Sequence, residues 1–143
     1  MENEIVDNLP AMIEAATSSD LKQALSTRLE ETKTQVKRLE QVFELCGVAA
    51  ATGSCSTIDA LIKEASAGPS DIEDKGVLDA AIIAFGQQIE HHEISVYGSI
   101  IAWAKEFRKD DCAVILAQML EEEKSADRKL SELAERGINR LAA

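Results

Sequence analysis

Residues 83–104 read IAFGQQIEHHEISVYGSIIAWA. Ile83, Gly86, Glu90, Glu93, Tyr97, Ile100 and Ala104 recur there at alternating steps of three and four, the period of one face of an α-helix. That face is apolar except at Glu90 and Glu93, which stand one helical turn apart and can converge. The spacing predicts a long third helix from about Val77 to Phe107 with two acids inside its core stripe.

The same pattern extends outward. A fourth helix is expected from about Asp110, near its cap, to Arg136, with Gly137 as its stop. Its inward stripe is Ala113, Leu116, Leu120, Glu123, Asp127, Leu130 and Ala134, so Glu123 and Asp127 lie inside. A second helix is expected over Asp20–Cys46, with Ser18 or Ser19 as N-cap and Gly47 as C-cap. Its apolar stripe is Leu21, Leu25, Leu29, Thr32, Val36, Leu39 and Phe43. One flank carries Ala24, Arg28, Glu31, Thr32 and Gln35, which makes Glu31 the inward acid and leaves Glu30 outside. A first segment, Glu2–Ala16, repeats Ile5, Leu9, Met12, Ile13 and Ala16, and Glu2 precedes them by the same step. Pro10 removes a backbone donor, so a kink or a late start is expected there. The connector from Val48 to about Lys75 is punctuated by Gly53, Gly68 and Pro69 and holds a short helix near Thr57–Ala67. A connection this long lets the second and third helices run parallel, the crossover arrangement of one class of four-helix bundle.

Composition agrees with an all-α chain. With 7 Gly and 2 Pro among 143 residues, there are few turn formers to interrupt helices. The length fits one domain over residues 1–143 with a real core. A formal net charge of -11 repels phosphate backbones and anionic membrane surfaces, so neither nucleic acid nor membrane is an expected partner. No basic-then-apolar leader opens the chain, and no apolar run is long enough to span a bilayer. Cys46, Cys55 and Cys112 show no paired spacing, which suits a reducing compartment, and a cytoplasmic location is expected. No local cause of a lowered thiol pKa is visible.

Several inward carboxylates are costly to bury unless each takes a proton, a cation or water. A hard cation bridged by carboxylates resolves that cost, and dinuclear iron and manganese bundles use such acids from all four helices, with histidines. Here the histidines are missing from that scheme: His91 and His92 fall on separate flanks, where surface or packing roles suit them better than ligation. Tyr97 suits core packing or donation to a site carboxylate, and Trp103 reads as a packing residue.

Longer strings carry a family resemblance. They are Ile5-Val6-x-x-Leu9-Pro10, Leu29-Glu30-Glu31-Thr32, Gln35-Val36-x-Arg38-Leu39-Glu40, Asp79-Ala80-Ala81-Ile82-Ile83-Ala84, Glu90-His91-x-Glu93-Ile94-x-x-Tyr97-Gly98 and Leu120-Glu121-Glu122-Glu123-Lys124-x-x-Asp127-x-Lys129-Leu130. With these the chain resembles the YciE/YciF-like proteins of the ferritin-like superfamily. The resemblance implies a ferritin-like four-helix bundle, often dimeric, with a dinuclear metal centre related to rubrerythrin-type sites and an association with bacterial stress. Carried over residue by residue, it implies Glu2, Glu31, Glu90, Glu93, Glu123 and Asp127 as ligands of iron or manganese. Family members have a longer first helix, and often His where this chain has Arg28.

Two functions follow as expectations. One is a carboxylate-bridged metal protein, a homodimer, with stress-related oxidative chemistry as its activity. The other is a non-enzymatic structural or partner-binding bundle whose inward acids pair with Arg28, Lys124, His91 or water. No residue specifies a substrate.

Overall fold

A computed structural model describes residues 1–67 and 72–143, with the backbone alone for 66 and 67. Gly68 and Pro69, expected to punctuate the connector, lie outside the described residues. The chain forms α1 (Glu2–Ala15), α2 (Ser19–Cys46), α3 (Ser56–Ala67), α4 (Lys75–Glu106) and α5 (Asp110–Leu133). A π-helical turn (Ala134–Ile138) and a short α6 (Asn139–Leu141) continue directly from α5.

Local chemistry sets the ends. The Ser18 hydroxyl accepts from the Leu21 amide at the start of α2, relieving one unpaired donor. At its end Gly47 takes φ 75°, while the Gly47 and Val48 amides close back on the Glu44 and Phe43 carbonyls. This is the left-handed stop that glycine adopts without a Cβ clash. Asp74 caps α4 through the Gly76 and Val77 amides, at 2.8 and 3.0 Å. Asp110 and Asp111 occupy the first turn of α5, where negative charge suits the helix dipole.

Two sequence expectations meet the structure here. Of the kink or late start expected at Pro10, the late start does not occur, because α1 begins at Glu2 and carries Pro10 inside it, with Ile5 and Leu9 buried beside it. Gly137 does not end the last helix. The backbone widens into the π turn and runs on to Leu141, because Ile138 is buried against the core.

Long-range bonds fix the topology. Asp79 on α4 accepts from Thr17 and Ser18 just before α2, and Arg28 on α2 reaches Glu90 and Glu93 on α4. Both helices therefore advance in the same direction, as the crossover requires. Going up α2, Arg28, Gln35 and Cys46 meet Glu123, Glu122 and Cys112 going down α5, so that pair is antiparallel. α3 packs on α1 and α4, with Ile58 fully buried. The result is an all-α, ferritin-like four-helix bundle with a long crossover that contains the extra helix. Among the described residues, no helix is long and apolar enough to cross a membrane.

The core is split. One apolar cluster holds Leu9, Leu25, Ile83, Ile89, Leu130 and Ile138. A second holds Tyr97, Ile101, Leu116 and Met119. Between them in chain order on α2, α4 and α5 lie Arg28, Thr32, Gln35, Glu90, Glu93 and Glu123, all buried.

Candidate metal centre

Three helices build this polar layer, and the N-terminal turn of α1 completes it with buried Glu2. The Arg28 guanidinium lies at its centre. Nε donates to Glu90 Oε1 at 2.9 Å, Nη2 to Glu93 Oε2 at 2.8 Å and also to Glu123 Oε2, and Nη1 to Gln35 Oε1 at 3.1 Å. Gln35 turns its own N–H toward Glu123 Oε1 at 2.6 Å and Glu122 Oε2 at 3.0 Å. Arg38 holds Glu122 from the rim at 2.5 Å. Tyr97, fully buried, donates its hydroxyl to Glu2 Oε1 at 2.5 Å.

Four buried carboxylates thus face one buried guanidinium, and three of their oxygens have no hydrogen-bond partner: Glu2 Oε2, Glu90 Oε2 and Glu93 Oε1. Unpaired buried carboxylate oxygens are rare because desolvation is costly. Burial drives the Glu93 carboxyl well above its ordinary range, and the charge of Glu2 adds to it. Burial also lifts Glu90 and pushes Glu123 up to about 9, against the pull of Arg28 in both cases. Burial works against the charge on Arg28, but Glu93, Glu90, Glu123 and Glu2 outweigh it and hold the guanidinium charged. The layer therefore retains protons that an added cation would displace. Oxygen atoms of Glu90, Glu93 and Glu123 lie within 4.8 Å of one another, a spacing one ion can bridge. The donor set is all hard oxygen, the kind that suits cations such as manganese, magnesium and calcium.

The structure separates the six acids expected as ligands. It brings Glu2, Glu90, Glu93 and Glu123 into one layer. Glu31 and Asp127 stand outside it. Glu31 is half-buried and lines a cavity of about 740 Å³, walled by Leu9, Leu25, Leu130 and Ile138, that reaches Arg28 and Glu90. The buried face of α2 is Leu21, Leu25, Arg28, Thr32 and Gln35, and Glu31 sits roughly 60° around the helix from Arg28. Asp127 is also half-buried and accepts from Gln87, with His91 at 3.3 Å. Lys124 pairs with exposed Glu121, not with an inward acid. Trp103 is 62% exposed and does not pack as expected. Sequence reasoning gave Gln35 and Arg38 no role in the site. A polar residue two turns beyond Arg28 on the same face was the available signal for Gln35.

Residues 1–143 match the family described as a domain of unknown function, DUF892. The chain belongs to the DUF892 family. It is 34% identical over 142 residues to protein YciF of Escherichia coli (strain K12), covering 99% of this chain and 86% of YciF. The crystal structure of that stress protein superposes with a TM-score of 0.92, covering 96% of this chain and 87% of the other. A solved structure of YcfI from Rhodopseudomonas palustris, provisionally termed a structural protein, is 49% identical with a TM-score of 0.89. That match covers 91% of this chain and 83% of YcfI. The YciF-like resemblance read from the sequence is thus shown, and DUF892 membership covers the polar layer from Glu2 to Glu123.

Proposed function

We propose that this chain is a metal-binding ferritin-like protein in which Arg28 takes one of two cation positions and Glu90, Glu93 and Glu123 hold a single iron or manganese ion, with Glu2 beside them. The three partnerless carboxylate oxygens carry this reading, because Arg28 leaves them uncompensated. The surrounding residues have defined tasks. Tyr97 orients Glu2, Gln35 orients Glu123, and Leu116 and Met119 exclude water from one side. Bound iron would supply redox chemistry toward oxygen or peroxide; the E. coli relative's description as a stress protein suits such a role. A cytoplasmic homodimer remains part of the proposal, with helices about 45 Å long available for a twofold face; light scattering that returns a monomer at micromolar concentration removes it.

The test is metal content after expression in iron- or manganese-replete medium. The expected result is one ion per wild-type chain, retained by Glu31→Gln and Asp127→Asn and lost in Glu93→Gln. Equal trace metal in all four proteins rejects the centre. A second reading rests on the three Arg28 ion pairs: a structural bundle in which Arg28 and retained protons alone neutralise the layer. It predicts that added iron or manganese leaves the melting temperature unchanged.

A further inference from the structure

Cys46 is the last residue of α2 and Cys112 the third of α5. Their Sγ atoms lie 3.8 Å apart, although 66 positions separate them in sequence. Closing to a disulfide requires about 1.8 Å of further approach. Cys46 is exposed and Cys112 buried. Lys109 Nζ lies 3.5 Å from the Leu45 carbonyl, which brings a positive charge to the end of α2.

We propose that Cys46 and Cys112 form a peroxide-sensitive dithiol that closes to an intramolecular disulfide. The exposed Cys46 thiolate attacks one oxygen of a hydroperoxide. The O–O bond breaks, the distal oxygen leaves as water (or as an alcohol) with a proton, and Cys46 becomes a sulfenic acid. The Cys112 sulfur then attacks the Cys46 sulfur. The S–O bond breaks, and the hydroxyl leaves as water with the Cys112 proton. Two thiols are oxidised and one hydroperoxide is reduced. The new bond fastens α2, which supplies Arg28 and Gln35, to α5, which supplies Glu123. The proposal is independent of the metal reading.

Burial and the neighbouring Cys46 sulfur raise the Cys112 thiol, which disfavours it as the group that first attacks peroxide. Cys55, 3.6 Å from His92 Nε2, is the internal comparison. Full-length wild type and Cys55→Ser are treated with equimolar hydrogen peroxide, then digested without reduction. The expected result is a peptide pair joined through Cys46 and Cys112 in both proteins, absent after dithiothreitol. In Cys112→Ser and Cys112→Ala, matched to wild type for helix content, dimedone should instead label Cys46. The proposal is overturned if wild-type Cys46 and Cys112 stay free while Cys55 is oxidised. It is equally overturned if Cys46 proceeds to sulfinic acid unlinked, or if the link joins two chains.

Discussion

A guanidinium carries five N–H groups in a fixed plane, and Arg28 commits all three of its nitrogens to partners inside the bundle. Removing it leaves buried carboxylates without their cation, a loss of about 3–5 kcal/mol. The loss should depend on pH. Glu93 and Glu123 have folded pKa values raised by burial, Glu123 to about 9. Between the ordinary carboxylate value and about 9, the folded state holds protons that the unfolded state releases. Stability therefore falls as pH rises through that window. Arg28→Leu, unfolded by urea without metal, should lose most near pH 9.5, beyond that window, and clearly less at about pH 5.5, where protons replace the missing cation. An equal loss at both values contradicts this account. The acids of the layer were legible at Glu2, Glu90, Glu93 and Glu123 because periodicity places them on core faces. Glu31 and Asp127 were misplaced because a helical wheel carries a phase error, and a rotation of roughly 40–60° separates core from flank here. Arg28 was legible as a partner for the inward acids, but not which acids it would join, since Glu90, Glu93 and Glu123 lie 62 to 95 positions away.

The helices themselves were readable nearly end to end. Ser18, Gly47 and the acids at 110–111 mark ends by local chemistry that needs no tertiary information. Where the reading failed, tertiary packing overrode local preference, as at Gly137. The same packing makes Gly76 irreplaceable. A Cβ there would lie 2.5 Å from the Leu141 carbonyl oxygen, and backbone atoms cannot swing aside as side chains do. Gly76→Ala should displace the C-terminal turn, lower stability by about 1–3 kcal/mol and expose residues after Leu133 to protease. Wild-type melting and cleavage patterns would refute the contact. Asp79 is a second joint of this kind. Its buried carboxylate accepts from the Thr17 amide, the Thr17 hydroxyl and the Ser18 amide, so α4 holds the α1–α2 corner. That buried acid appeared in the sequence only as one member of a matching string.

Across the whole molecule, a charged layer separates two apolar clusters, which is an expensive way to fill a bundle. Well-packed apolar residues in place of a buried ionic group are often more stable by 1–4 kcal/mol. Replacing Arg28 with Met and Glu90, Glu93 and Glu123 with Leu together should therefore give a bundle that melts higher than metal-free wild type and binds no metal. A lower melting temperature would mean that the layer itself stabilises the fold. The π turn at 134–138 bears on the same molecule from its far end. Such a turn accommodates one residue more than an α turn over nearly the same rise. Shortening the chain by Arg136, which is exposed, should let a plain α-helix close in its place, with Ile138 still inward. Removing exposed Ser125 instead, in regular helix, rotates the two parts of α5 against each other by roughly 100° and should abolish folding. Length variation among homologous chains is thus expected to be tolerated at 134–138 and excluded one helical stretch earlier.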